Sequence, residues 1–141
     1  MTQIARSALV RRSASHMFDL VNEVEAYPRR FSWCEDAHVM KRSDTEMLAR
    51  LDLKMGALRT TLTTRNSLLR PERIELQLVE GPFSALSGHW QFTKMAKDAC
   101  KVTLNLNFDT AGMLLGGVLA LAFTGLADRM VDDFVREAQR E

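Results

Sequence analysis

The sequence lacks the residues and motifs that most enzymes and metal sites need. Its two cysteines, Cys34 and Cys100, are too far apart for a CxxC metal or redox motif. No P-loop, GxGxxG, GxSxG or zinc-type histidine spacing occurs. Nineteen basic and eighteen acidic residues leave a net charge of +1, so bulk attraction to nucleic acid is not expected. We therefore predict no catalytic residue, no metal site, no required cofactor and no DNA binding.

A secretory signal is also missing. The first residues, MTQIARSALVRRS, contain no apolar segment of the kind that a signal peptide carries. Cys34 and Cys100 are then expected to be reduced, packed thiols, and the protein is expected in the cytoplasm.

Isolated ionisable residues give no sign of acid/base chemistry. His16, His38 and His89 are scattered, and we interpret them as surface or structural residues. The adjacent carboxylates Asp132 and Asp133 fall on the expected solvent side of a helix. A catalytic carboxylate is normally partly desolvated, and the sequence gives no reason to expect that here.

One long uncharged run is present, from Ala111 to Ala127, and reads AGMLLGGVLALAFTGLA. It is at the short limit for a membrane span, about 17 residues, contains four glycines and meets Asp128 directly. After Asp128 the apolar residues recur at helical spacing: Met130, Val131, Phe134, Val135 and Ala138. The run and its continuation predict one helix of about 26 residues, or about 39 Å. Its first half is expected to be covered on every side and its second half to be amphipathic.

The rest of the chain alternates apolar and polar residues with the two-residue period of half-buried strands. Clear alternation occurs at 49–55, 58–65, 74–78, 88–93 and 102–109, with shorter patterns at 3–11 and 37–42. Short turn sequences separate the strands and favour antiparallel pairing of neighbours. Between the first two strands, Ser13 is placed to cap a helix over ASHMFDLVNEV that ends before Pro28, and 29–34 is a connector.

These elements predict an α+β fold and one domain over residues 1–141. A curved antiparallel sheet of about six to seven strands would wrap around the long C-terminal helix. The space between sheet and helix is a candidate ligand cavity, because small ligands bind in concave apolar sites. Thr60 and Thr64 are expected to face inward, where they would bond to backbone or contact a ligand head group; a parity shifted by one residue would place them outside instead. The methionines on apolar faces suit a flexible ligand or simply fill the core: Met17, Met55, Met113 and Met130.

Four stretches of the chain resemble one family. They are residues 7–34, LTTRN at 62–66, LVEGPFSALSGHWQF at 78–92 and FTGLADRMVDDFVREA at 123–138. Together they are similar to the coenzyme Q-binding protein Coq10 family, whose bacterial members include ribosome-association toxins (RatA). The family belongs to the START-like superfamily of helix-grip folds, many members of which were labelled polyketide cyclases. The sequence departs from the family at Arg29–Ser32, where an apolar residue and a proline are more usual.

The resemblance implies a non-enzymatic binding protein with a deep hydrophobic cavity for ubiquinone or a similar isoprenoid lipid. Such a protein would act as a carrier or chaperone in respiratory electron transfer, with transient contact at the surface of the inner membrane. The expected cavity residues are Tyr27, Phe31 and Trp33 near the entrance, Leu51, Leu53, Leu62, Leu76, Trp90, Leu104 and Leu106 on the strands, and Phe123, Met130 and Phe134 on the helix.

Two other functions remain open. The bacterial branch implies binding to the large ribosomal subunit and a block of subunit joining, for which Arg11, Arg12, Arg29 and Arg30 are candidate contacts. A polyketide cyclase is the third alternative, because the same cavity could hold such a substrate. The glycines at 116, 117 and 125 would let the C-terminal helix pack closely or move as a lid.

Overall fold

The computed structural model describes residues 1–140, which form seven strands and three α-helices. The strands are β1 (Thr2–Val10), β2 (Cys34–Arg42), β3 (Glu46–Met55), β4 (Leu58–Leu69), β5 (Arg73–Glu80), β6 (Ala85–Ala96) and β7 (Ala99–Asp109). The helices are α1 (Ala14–Asn22), α2 (Tyr27–Arg30) and α3 (Gly116–Arg140), with a 3-10 turn at Val24–Ala26.

All seven strands belong to one antiparallel sheet in the order β1-β7-β6-β5-β4-β3-β2. Each strand from β2 to β6 pairs with the next along the chain, as the short turns predict, and β7 also pairs with β1. The sheet curves around α3, so the predicted helix-grip fold is confirmed.

The predicted alternation is clearest in β7. Its inward residues are at most 4% exposed, namely Cys100, Val102, Leu104, Leu106 and Phe108. The residues between them are half-buried or exposed on the outer face. A strand that is paired on both sides, in a sheet with one covered face, has this pattern.

The segment between β1 and β2 differs from the prediction. The Ser13 hydroxyl accepts a hydrogen bond from the His16 amide at 3.0 Å, so the predicted N-cap is present. Helix α1 ends at Asn22, and the expected connector at 29–34 begins inside the short helix α2. Pro28 is compatible with α2 because it lies in the first turn, where its missing N–H has no helical partner to lose.

Helix α3 has the predicted length, but the expectation that its first half is covered on every side is wrong. Leu119 and Phe123 are buried, whereas Val118 is 51% and Leu121 is 78% exposed. Leu114, which precedes the helix, is 92% exposed. The sheet and α1 contact only one face of α3, and nothing else in residues 1–140 covers the other. Within the same residues, no helix has both the length and the hydropathy that are needed to cross a bilayer.

The three helical glycines have different surroundings. A Cβ on Gly116 would lie 2.5 Å from the Thr110 carbonyl oxygen, so this glycine permits a close approach. A Cβ on Gly117 or Gly125 would meet no atom within 4 Å. Close packing therefore explains the first glycine and not the other two.

This contrast gives a prediction for stability. Gly125→Ala should raise the free energy of unfolding by about 0.5–1 kcal/mol, because alanine restricts the unfolded chain and fits a helix. Urea denaturation followed by circular dichroism measures the change. Gly116→Ala is the matched control and should lower stability, and a gain at both positions would contradict the role of Gly116.

Candidate functional site

A cavity of about 80 Å³ lies between the inner face of the sheet and α3. Aliphatic and aromatic side chains form most of its wall. The lining residues are Val21, Asn22, Val24, Tyr27, Ala49, Leu51, Leu53, Leu62, Thr64, Asn66, Ile74, Leu76, Leu86, Trp90, Leu104, Leu106, Phe123, Leu126 and Met130. Sites for drug-sized ligands usually have about 300–1,000 Å³. A lipid of that size would therefore have to widen this cavity.

Most of the residues that the sequence predicts for the cavity do line it. They are Tyr27, Leu51, Leu53, Leu62, Leu76, Trp90, Leu104, Leu106, Phe123 and Met130. Phe31, Trp33 and Phe134 do not line it, and none of the three is at an entrance, because they are at most 5% exposed. Whether any of these residues binds a ligand stays a prediction.

Two asparagines in the cavity wall are absent from the sequence prediction. Asn66 is 7% exposed, and its Oδ1 accepts a hydrogen bond from Thr64 Oγ1 at 2.8 Å. Asn22 Oδ1 is buried and has no hydrogen-bond partner within residues 1–140. The alternation of β4 places Asn66 inward, two residues after Thr64, so parity alone could have identified it. Asn22 also borders a surface recess beside Glu23 and Arg29, so it separates the cavity from the outside.

Some of the threonines and methionines that the sequence places on inward faces line the cavity, and others do not. Thr64 lines the cavity, whereas Thr60 does not. A bulge between Thr63 and Thr64 also buries Thr63, which the simple alternation assigns to the outer face. Of the four methionines on apolar faces only Met130 lines the cavity, and the fully buried Met17 is core.

Behind the cavity lies an aromatic cluster, which we define as Tyr27, Phe31, Trp33, Trp90 and Phe134. Phe31 and Trp33 stack with ring centroids 4.8 Å apart. The Phe134 ring is in edge contact with the other four at 4.7–6.1 Å. Such pairs each contribute about 0.5–1.5 kcal/mol beyond the area they bury. The cluster joins α2 and the start of β2 to α3.

A hydrogen bond ties the aromatic cluster to the polar side of α3. Trp33 Nε1 donates to Asp133 Oδ2 at 2.9 Å, and Arg136 Nη1 lies 3.0 Å from the other carboxylate oxygen. The expectation that Asp133 lies on the solvent side of α3 is therefore wrong, since its side chain is only 21% exposed. Asp132 is exposed as expected.

Removing this acceptor should destabilise the fold. Asp133→Ala leaves the buried Trp33 N–H without a partner, which costs about 1–3 kcal/mol. Chemical denaturation monitored by tryptophan fluorescence measures the loss. Asp133→Asn keeps a carbonyl oxygen at this position and is expected to recover most of the stability; equal losses in both variants would assign the effect to the removed charge.

The ionisable groups at the site favour their neutral forms. Burial, with a smaller contribution from Cys34, raises the pKa of Tyr27, and the Tyr27 hydroxyl donates to the Val21 carbonyl oxygen. Burial raises the pKa of Cys34 to about 12, so its thiol is unreactive near neutral pH. Tyr27 is the only titratable residue in the cavity wall as described, and residues 1–140 contain no group of three or more side chains placed to hold a metal ion.

Two of the four arginines considered for ribosome contact are already paired. Arg29 lies 3.7 Å from Glu23, and Arg30 bonds to Glu23 at 3.1 Å and lies 3.6 Å from Glu137. Both arginines therefore have an acidic partner, and they share Glu23. Arg11 is exposed at the opposite end of α1, next to Arg12.

Among known proteins, the chain is similar to several that are named as toxins. The ribosome association toxin RatA of Pseudomonas aeruginosa is 43% identical over 99% of this chain and 96% of its own length. The persistence and stress-resistance toxin PasT of Escherichia coli O6:H1 is 36% identical over 99% of this chain and 88% of its own.

Solved structures share the fold. The aromatase/cyclase Zhui of Streptomyces sp. R1128 superposes with a TM-score of 0.81 at 16% identity, over 99% of this chain and 94% of the other. An 18 kDa protein of Caulobacter crescentus superposes with a TM-score of 0.77 at 25% identity, over 99% of this chain and 97% of the other.

Residues 10–135 match a family model described as polyketide cyclase / dehydrase and lipid transport. The fold and the relatives agree with that match, and the START-like resemblance expected from the sequence is confirmed. The chain belongs to the polyketide cyclase / dehydrase and lipid transport family.

Proposed function

We propose that this protein binds the large ribosomal subunit and hinders the joining of the two subunits. The observation that carries the proposal is the 43% identity, over almost the whole length of both chains, to a protein named for ribosome association. The absence of carboxylate and histidine side chains from the described cavity wall supports a binding role over catalysis. The relatives thus favour ribosome binding over the quinone transport that the family resemblance implies.

Sedimentation tests the proposal directly. Purified protein is added to separated small and large ribosomal subunits before magnesium is raised to join them, and the mixture is run on a sucrose gradient. We expect the protein to migrate with the large subunit and the joined particle to decrease with protein concentration. Unchanged joining at a saturating excess of protein would refute the proposal.

A second function, binding of a small hydrophobic ligand, is favoured by the composition of the cavity wall. Apolar side chains dominate it, and Asn22 offers an unpaired oxygen to a hydrogen-bond donor. Ubiquinone, or a related isoprenoid lipid, is the ligand class that the family resemblance implies. Transfer from a bilayer would need membrane contact, for which the exposed Leu114, Leu115, Val118 and Leu121 are suited.

Organic extraction followed by mass spectrometry tests ligand binding. Protein purified from quinone-producing cells should release a lipid, and Ala49→Leu should reduce the amount because it fills the cavity from β3. Ala5→Leu adds the same group to an exposed position of β1 and is the control. Repeated extracts without lipid would contradict this second function and leave ribosome binding unaffected.

A further inference from the structure

Four cationic side chains lie together at one end of the sheet. We call Arg11, Lys94, Lys97 and Lys101 the basic end. Lys101 pairs in register with Leu9 on one side and Thr93 on the other. Cys100 pairs with Lys94 and with Val10, which Arg11 follows. Adjacent strands are about 4.8 Å apart, and Lys97 is in the turn that joins β6 to β7. Three strand ends therefore place these four residues at the same end of the sheet.

The cations of the basic end differ from most others in the molecule. All four are exposed, and none forms an ion pair within residues 1–140. Eleven arginines elsewhere have a carboxylate within 4 Å. The acidic residues nearby are Asp98, in the same turn, and Glu72, which borders the same recess as Lys94 and Lys97.

The neighbouring polar groups suit an anion with several oxygens. Lys94 and Lys97 line a recess together with Ser13 and Ser15 at the start of α1. Lysine is a compact charge that binds phosphate, and hydroxyls also donate to phosphate oxygens. The net charge of the chain is only +1, so any attraction to an anion depends on such a local cluster rather than on the overall charge.

We propose that the basic end contacts phosphate groups of ribosomal RNA in the large subunit. The proposal rests on the proposed ribosome binding and identifies the surface that performs it. It replaces Arg29 and Arg30, which pair with Glu23 and Glu137, with three lysines from the β6–β7 hairpin. Exposed Leu9 and Met95 lie among the lysines, so a bilayer of anionic lipids is the competing partner that the experiment must separate.

The test compares two triple variants of the full chain. The first carries Lys94→Glu, Lys97→Glu and Lys101→Glu. The matched control carries Lys41→Glu, Lys54→Glu and Arg129→Glu, which are also exposed, lack an ion pair within residues 1–140 and lie elsewhere, on β2, β3 and α3. Each substitution lowers the net charge by two, so the net charge of both variants falls from +1 to −5. Circular dichroism confirms that each variant is folded.

Binding to purified large subunits is measured by sedimentation over a series of salt concentrations. We expect the first triple variant to bind about tenfold more weakly or worse, with a salt slope smaller by about 1 for each phosphate that the protein no longer neutralises. The control should stay within about threefold of the unsubstituted protein, since exposed charges farther away than a Debye length are largely screened.

Each other outcome overturns a specific part of the proposal. Normal binding by the first variant refutes the location and leaves ribosome binding intact. Equally weakened binding by both variants refutes a localised contact. If the unsubstituted protein does not bind, the proposed function and this inference both fail. Lysine-dependent binding to vesicles of phosphatidylglycerol, with unchanged subunit binding, assigns the basic end to membranes instead.

Discussion

Phe134→Ala is expected to lower the free energy of unfolding by about 3–5 kcal/mol, the range for a large aromatic residue removed from a core. Phe134 is fully buried, and its ring contacts Tyr27, Phe31, Trp33 and Trp90. Truncation would remove these ring–ring interactions and leave a void next to the existing cavity. A domain of ordinary stability, about 5–15 kcal/mol, would lose a large fraction of it.

Urea denaturation followed by tryptophan fluorescence measures this loss, because both tryptophans lie in the aromatic cluster. Phe134→Leu is the graded control and should cost less, since leucine keeps most of the volume although it has no ring. Leu121→Ala removes an exposed side chain from the same helix and should change stability by at most about 0.5 kcal/mol. If Phe134→Ala were as stable as Leu121→Ala, the aromatic cluster would not hold α3 on the sheet.

Much of the fold could be predicted because the sheet has one covered face. Alternation in β7 assigns Val102, Leu104 and Leu106 to the core. The same alternation in the other strands identifies most residues of the cavity wall. The alternation of apolar and polar residues indicates which side of a strand is buried, provided that the other side is exposed to water. The long helix α3 could be predicted for the same reason from its charged second half.

Other features depend on which elements meet in space, and periodicity does not contain that information. The first half of α3 is uncharged on all sides, so its pattern does not distinguish the buried Phe123 from the exposed Leu121. Phe31 and Trp33 were assigned to an entrance, but α2 directs them against Phe134 instead. The basic end could not be predicted from the sequence either, because Arg11 and Lys101 are neighbours only through the pairing of β1 with β7.

The buried ionisable side chains Tyr27 and Cys34 are kept in their neutral forms, as expected of a binding site without acid/base chemistry. Cys34 donates to the Asp36 carbonyl oxygen at 3.2 Å, and its pKa of about 12 keeps the thiol protonated. No charged side chain lines the cavity as described, and the cations of the basic end are exposed. The molecule thus has an apolar interior that is separate from the cluster of exposed cations at the basic end.

Gly88→Ala is expected to lower the free energy of unfolding by about 3 kcal/mol, at the upper end of the range for overpacking. Gly88 pairs with Leu76 on β5 and Leu106 on β7. A Cβ there would lie 2.1 Å from the Asn105 main-chain oxygen and 2.9 Å from the Leu106 Cα. Because both atoms belong to the backbone of β7, no rotation of a side chain relieves the overlap, and the two strands must separate.

Ser87→Ala is the matched control for Gly88→Ala, since it makes a small change at the exposed neighbouring position of β6 and should be near neutral. Thermal unfolding followed by circular dichroism measures both variants. A strand glycine often marks the close approach of another backbone, and here that approach joins β6 to β7, which carry Trp90, Leu104 and Leu106 of the cavity wall. Separation of the strands should therefore loosen the cavity together with the fold. A Gly88→Ala protein as stable as Ser87→Ala would show that β6 and β7 can separate at little cost.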